Sequence, residues 1–183
     1  MNPTLQFILT ALYLMIPIAA ANMTPVFVKN IDFLNIPVDF NQKWKGKPIF
    51  GNHKTYRGFF FGVLAAILVA FVQKILYQYQ FFKEISFFNF ETTSFILIGF
   101  ALGFGALFGD LVKSFFKRRV GVKPGDSFFP WDQVDLVLGS IFFISFIKVP
   151  SWQLILFGLI VGPLLHIFFN HFGYWIGIRE SKW

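Results

Sequence analysis

Cysteine is absent from the 183 residues of this chain. The absence excludes disulfide bonds, thiolate metal sites and a cysteine nucleophile, so any catalysis must use oxygen and nitrogen groups. Charged residues are also scarce, at 14% of the chain, whereas 56% of the residues are hydrophobic and the mean hydropathy is +0.63. Soluble domains ordinarily carry about 25% charged residues. The composition therefore indicates a protein whose main solvent is the lipid bilayer.

Five apolar stretches are long enough, or nearly long enough, to cross the hydrocarbon layer, which takes about 20 helical residues. The 29 phenylalanines lie largely in blocks and do not alternate with polar residues as in an exposed strand. No Lys or Arg precedes the first stretch, so we interpret it as a retained helix and not as a signal peptide. We predict an all-α, multi-pass membrane bundle that forms one domain over residues 1–183, with spans near residues 6–28, 58–76, 94–116, 134–149 and 152–176.

Lys and Arg are distributed unevenly between the predicted spans. They are frequent between the first and second spans and between the third and fourth, and sparse elsewhere. Because basic loops stay in the cytoplasm, we expect the N-terminus outside, the C-terminus inside and both basic loops at the cytoplasmic face of the cell membrane. The net charge of +7 then suits membrane lipids and phosphate substrates, and we expect no nucleic-acid partner.

A polar stripe lies near the cytoplasmic end of the third predicted span. Its members recur at i, i+3, i+4 and i+7 and so share one helix face: Asp110, Lys113, Ser114 and Lys117. Asp110 lies about 10 Å inside the end of the span, at a rise of ~1.5 Å per residue. An ionised carboxylate at that depth is costly unless it meets a cation, and such residues are candidates for function. The alternative is a structural ion pair between Asp110 and Lys113.

A second acidic group begins the fourth predicted span. Asp132 and Asp135 are three residues apart at a helix start, where capping explains one carboxylate but hardly both. Since the third and fourth spans meet the same loop, we expect this pair to converge with Asp110. Three carboxylates without Cys or a nearby His are hard oxygen ligands, and we interpret the three histidines of the chain as ordinary interfacial residues. The pattern predicts a Mg²⁺ site formed by Asp110, Asp132 and Asp135.

Basic residues flank the predicted metal site: Lys113, Lys117, Arg118, Arg119 and Lys123. Arginine offers a planar fork and lysine a point charge, and both bind phosphate oxygens. A metal ion with a basic ring at a membrane face indicates phosphoryl or nucleotidyl transfer to a lipid.

The loop before the second span carries a further basic segment, GNHKTYRG, at residues 51–58. Its turn glycines, with Lys54, Thr55 and Arg57, fit a phosphate-binding loop, although the spacing is not that of a P-loop. The alternative is a collar of basic side chains that extend to the lipid head groups.

Three segments resemble a known family. The run GDLVKSFFKRRVGVKPGDSFFPWDQVD, at residues 109–135, is similar to the signature of the CTP-dependent cytidylyltransferases of lipid phosphates. In that signature a Ser-x-x-Lys-Arg helix is followed by a Lys, a small turn and an Asp-x-x-Asp pair. GNHKTYRG resembles the loop-one motif of the short, CDP-archaeol synthase branch, and residues 166–183 resemble its C-terminus. Tyr56 stands where archaeal members typically have Trp, and Asn52-His53 where they often have Asp-Gly.

The resemblance implies a membrane cytidylyltransferase that transfers CMP from CTP to a prenyl-ether glycerol phosphate, with release of pyrophosphate, for phospholipid synthesis. It implies catalytic roles for Asp110, Lys113, Asp132 and Asp135, with Mg²⁺ on the three aspartates. It implies that substrate is bound by Lys54, Arg57, Ser114, Lys117, Arg118 and Lys123. A lipid phosphate monoester, with a second pKa of about 6, is largely ionised at neutral pH, so the reaction needs no general base.

Several alternatives stay open at this point. The lipid substrate could be of the archaetidic acid type or an ester phosphatidate, which would make the protein a CDP-diacylglycerol synthase. A small transporter would use Asp110 and Lys113 to line an ion path, but it would spread polar residues across the membrane depth. An inactive relative is disfavoured because all three acids are present. The sequence leaves the oligomeric state open.

Overall fold

The computed structural model describes residues 1–122, 126 and 128–175. The described chain is mostly helical, which confirms the predicted helical membrane fold. Its helices are α1 (Pro3–Phe27), α2 (Tyr56–Leu76), α3 (Gln80–Glu84), α4 (Phe95–Arg119), α5 (Trp131–Ile144) and α6 (Trp152–Trp175). A small antiparallel hairpin between α1 and α2, formed by β1 (Lys43–Trp44) and β2 (Lys47–Pro48), was not predicted.

Three of the described helices, α1, α2 and α4, are long and apolar enough to cross a membrane. With 14 residues, α5 extends over about 21 Å at ~1.5 Å per residue, which is less than a hydrocarbon layer of about 30 Å. It begins and ends earlier than the predicted fourth span. Its end is followed by a turn and then by Pro150, where proline disfavours a continuing helix. The five-span topology stays a prediction.

Glycines let the helices of the bundle approach one another closely, and two of them, Gly105 and Gly109, lie one turn apart on α4. A Cβ atom built on Gly109 would lie 2.1 Å from the carbonyl oxygen of Asp135 on α5. A Cβ atom on Gly139 of α5 would lie 2.1 Å from the carbonyl oxygen of Gly105 on α4. The backbones of α4 and α5 therefore touch, and this contact brings the acidic residues of the two helices together.

The segment between α1 and α2, residues 28–55, folds against the end of α4 and is called loop one below. Arg119, the last residue of α4, donates to the carbonyl oxygens of Trp44 at 2.6 Å and Lys47 at 3.3 Å, and also to that of Pro48. The Trp44 ring stacks on Phe115 of α4, with 5.4 Å between the ring centroids. These contacts hold the hairpin of loop one beside the polar stripe of α4.

Loop one ends where α2 begins. Thr55 is the N-cap of α2, and its side-chain oxygen accepts a hydrogen bond from the N–H of Gly58 at 3.2 Å. N-capping by threonine satisfies a backbone donor that the first helical turn leaves free. Lys54 precedes this cap and therefore projects from the junction of loop one and α2.

Candidate functional site

Lys113 is the centre of an ionic cluster between α4 and α5. Its Nζ atom lies 2.9 Å from Asp110 Oδ1, 3.1 Å from Asp132 Oδ1 and 2.9 Å from Asp135 Oδ2. Asp110 and Lys113 are one turn apart on α4, and the other two acids lie at the start of α5. The structure thus brings together the three aspartates that we expected to converge.

Two further lysines complete the cluster. Lys54 reaches from loop one and forms an ion pair with Asp110. Lys117 lies one turn beyond Lys113, and its Nζ atom is 3.1 Å from Asp132 Oδ2. Three ammonium groups therefore face three carboxylates, and no acidic side chain of the cluster is more than 17% exposed. Partly desolvated charges of this kind depend strongly on their partners.

The donor chemistry of the three carboxylates fits a hard divalent cation. Asp135 Oδ1 is buried and accepts no hydrogen bond from the part of the chain that the structure describes, so it retains lone pairs for a ligand. Among those same residues no group of three or more His, Cys, Asp or Glu side chains has metal-binding geometry. The carboxylates instead face the Lys113 ammonium, so a metal ion would compete with that lysine for the same oxygens.

Two cavities meet at the cluster. One, the polar cavity, has a volume of about 320 Å³ and lies between loop one and α4; it is lined by Pro48, Phe50, Gly51, Asn52, His53, Lys54, Lys113, Ser114, Lys117 and Arg118. The other, the apolar groove, has a volume of about 490 Å³ and lies between α4 and α5; its walls include Phe108, Val112, Phe116, Trp131, Leu138 and Phe142, with Lys113 and Asp135. Lys113 lines both.

The apolar groove opens toward the outside of the bundle. The side chains of Phe116, Trp131 and Phe142 on its walls are all more than half exposed. Exposed apolar side chains of this kind form a surface suited to contact with hydrocarbon chains. A molecule with an apolar tail and an ionic head would place the head at Lys113.

The other residues predicted to bind substrate lie in different places. Ser114 and Arg118 line the polar cavity. The guanidinium of Arg57 is buried and donates to the carbonyl oxygen of Ile31, and Arg57 lines neither of the two cavities. Its contacts thus hold loop one against α2. Lys123 lies outside the described residues.

Sequence reasoning missed part of the polar cavity. His53 was interpreted as an ordinary interfacial residue, but together with Asn52 and Phe50 it forms the loop-one wall of that cavity. The turn glycine Gly51 and the neighbouring Lys54 marked the segment as a candidate phosphate loop. They did not show which other side chains face the cavity.

The fold and the site define a membrane protein with an ionic cluster between a polar cavity and an apolar groove. A family model described as CarS-like CDP-archaeol synthase matches residues 4–183. The chain belongs to the CDP-archaeol synthase family and is a CTP-dependent membrane cytidylyltransferase. Membership favours this activity over the transporter and over a synthase of ester lipids.

Individual relatives agree with the family assignment. A CDP-archaeol synthase of Methanosarcina mazei is 38% identical over 159 residues, which cover 80% of this chain and 90% of the relative. One of Thermococcus onnurineus is 33% identical over 181 residues, covering 98% and 99% of the two chains. A solved structure described as an intramembrane enzyme for archaeal membrane lipid biosynthesis has a TM-score of 0.65 and 26% identity, and the match covers 87% of this chain and 92% of that one.

Proposed function

We propose that the protein transfers CMP from CTP to the phosphate of an archaetidic-acid-type lipid, a glycerol phosphate with two prenyl-ether chains. The observation that supports this proposal most directly is the position of Lys113, which lines both the polar cavity and the apolar groove. A nucleotide and a lipid phosphate bound in the two compartments would meet at this residue. The reaction joins two anions, and a cationic meeting point is what it requires.

The polar cavity suits the triphosphate of CTP. Lys54 and Lys117 direct their ammonium groups to Asp110 and Asp132, and Arg118 and Ser114 add donors. Lysine and arginine side chains bind phosphate oxygens by charge-assisted hydrogen bonds. Lys123, predicted from the motif, would complete this set.

The apolar groove suits the lipid. Its aromatic and aliphatic walls bind prenyl chains through burial of apolar surface, at about 25 cal/mol per Å². The groove excludes the charged head, which is left beside Lys113 and Asp135 at its polar end. The lipid phosphate is then held within the cluster while its chains stay in the bilayer.

In the proposed reaction an oxygen of the lipid phosphate attacks the α-phosphorus of CTP. A new P–O–P bond forms, the bond between the α- and β-phosphates breaks, and pyrophosphate leaves with the electron pair. The attacking monoester has a second pKa of about 6, so no residue has to remove a proton from it. The protein supplies alignment and positive charge, from Lys54, Lys113 and Lys117.

Asp110, Asp132 and Asp135 would hold Mg²⁺, which neutralises phosphate charge when bound. We also propose that the protein crosses the cell membrane five times, with its N-terminus outside. The polar cavity then opens to the cytoplasm, where CTP is available. The distribution of Lys and Arg supports this orientation.

The test is turnover by the purified protein in liposomes, with labelled CTP, Mg²⁺ and either a prenyl-ether or a diacyl glycerol phosphate. We expect labelled CDP-lipid and pyrophosphate with the ether lipid. Turnover with the diacyl lipid alone would overturn the proposed substrate. An ion flux without pyrophosphate release would overturn the reaction itself.

A further inference from the structure

Asp39 is a buried acid of loop one that does not belong to the ionic cluster. It is only 5% exposed, and an aspartate is rarely so buried unless it has strong partners. Its Oδ1 atom accepts from the N–H of Asn41 at 3.0 Å, and its Oδ2 atom accepts from the N–H groups of Phe50 at 2.9 Å and Gly51 at 3.0 Å. Within the described residues it has no salt bridge. Its partners are backbone amides.

These amides begin the wall of the polar cavity. Phe50 and Gly51 are the first residues of the segment 50–54, which ends at Lys54 and lines the cavity throughout. The N–H of Lys54 donates to the carbonyl oxygen of Gly51 at 3.1 Å, which closes a turn. The carbonyl oxygen of Lys54 accepts from the N–H of Val38 at 2.8 Å. Residues 38 and 39 therefore hold both ends of the wall.

Only a carboxylate satisfies this arrangement. Three N–H donors converge on two side-chain oxygens, and both oxygens must accept. An amide has one oxygen, and its NH₂ group would face at least one N–H group. Gly51 has a φ of +104°, a conformation that costs little only for glycine. The turn therefore depends on a glycine backbone and on the carboxylate that its N–H group meets.

We propose that Asp39 is a positioning residue for the nucleotide: its carboxylate holds the segment 50–54 in the shape that directs Lys54 to Asp110 and forms the wall of the polar cavity. It acts through the backbone and does not touch the substrate. The apolar groove is built by α4 and α5, far along the chain from this loop. The effect of Asp39 is thus confined to the polar cavity and does not extend to the apolar groove. That it changes KM for CTP rests on the proposed function.

The kinetic test compares Asp39→Asn with Asp32→Asn. Asp32 lies in the same loop, is exposed and receives no side-chain hydrogen bond from the described residues, so the control makes the same charge change without the structural loss. We expect Asp39→Asn to raise KM for CTP about tenfold, which corresponds to the loss of one charge-assisted hydrogen bond from a displaced Lys54 to the nucleotide. KM for the lipid should stay within about twofold of wild type. The Asp32→Asn protein should match wild type. An unchanged KM for CTP, or an equal rise in both KM values, would overturn the proposal.

A second readout does not depend on turnover. Because the chain has no cysteine, Asn52→Cys gives a single labelling site at an exposed position of the wall. A spin label there should become more mobile when Asp39→Asn is added and stay unchanged with Asp32→Asn. Equal mobility in all three proteins would refute the positioning role. A wild-type protein that lacks CTP turnover would instead refute the proposed function, while this measurement still decides the role of Asp39.

Discussion

Replacing Lys113 by methionine tests the arrangement of the ionic cluster most directly. Methionine keeps most of the side-chain volume and removes the ammonium group that three carboxylates share at 2.9 to 3.1 Å. After the substitution Asp135 loses the salt bridge that it makes within the described residues. The matched comparison is Lys117→Met, because among the described residues the Lys117 ammonium forms an ion pair with one carboxylate, that of Asp132.

The magnitude follows from burial. The side chain of Lys113 is 14% exposed and that of Asp135 is 4% exposed, so solvent compensates little of the lost attraction. Removing one partner of a buried ion pair costs about 3–5 kcal/mol, and we expect this cost for Lys113→Met because Asp135 is left with a buried, unpaired charge. The Lys117–Asp132 pair is similarly buried, at 11% and 16% exposed, but Asp132 keeps its contact with Lys113 when Lys117 is replaced, so Lys117→Met should cost less. At ~2–4 °C per kcal/mol for a domain of this size, the first change lowers Tm by about 10 °C.

The assay is thermal unfolding of both variants in detergent, with and without Mg²⁺. Without the competing ammonium the three carboxylates should bind the ion more tightly, so Mg²⁺ should raise Tm more in Lys113→Met than in wild type. Cytidylyl transfer should be lost in Lys113→Met at every Mg²⁺ concentration, because the phosphates lose their shared cation. A Lys113→Met protein as stable as Lys117→Met, with no added response to Mg²⁺, would refute the shared-ammonium arrangement.

Three further predictions concern the metal ligands, helix packing and pH. Asp132→Asn should lower the rate of CDP-lipid formation at least about tenfold, because replacing a residue that only orients a metal ligand already costs about that much. Asp32→Asn should leave the rate unchanged, and equal rates in the two variants would refute the metal assignment. Gly109→Val should separate α4 from α5, since its Cβ atom would meet a backbone oxygen at 2.1 Å, and should lower stability by about 1–3 kcal/mol; an unchanged Tm would contradict that contact. Burial alone would raise the pKa of Asp39, but the backbone N–H groups that donate to it outweigh burial and hold its pKa below the ordinary 3.8. The stabilisation of loop one by Asp39 is then complete above about pH 4 and is lost as the pH falls through the lowered pKa. A spin label at residue 52 should therefore gain mobility only below that pH. A gain in mobility near neutral pH would contradict this assignment.

The helical bundle was predictable because it depends on composition along short stretches. Runs of Phe, Leu and Ile predict membrane helices whatever their neighbours are. The i, i+4 spacing of Gly105 and Gly109 is typical of a close helix contact, and the facing Gly139 explains why it is so close. The hairpin of loop one was not predicted, because its two-residue strands carry too little pattern.

The candidate site was predictable in part. Helical periodicity placed Asp110, Lys113 and Lys117 on one face, and all three lie in the cluster. Arg57 belonged to an equally convincing motif, yet its guanidinium meets the backbone carbonyl of Ile31. A motif specifies which residue types occur together, but it does not specify which of them face the cavity.

The sequence by itself determined a membrane bundle, the polar stripe of α4 and the acidic start of α5, because these features depend on local composition and on the period of a helix. Only the tertiary structure decided that Lys113 lies among three carboxylates and between two cavities, and that Asp39 meets the amides of Phe50 and Gly51. Apart from the Asp110–Lys113 pair, which spans one turn of α4, these contacts join residues 11 or more positions apart or lying on different helices. Contacts between such distant residues depend on how closely the helix backbones pack at their glycines and on how loop one docks against α4. A local sequence pattern specifies neither of these.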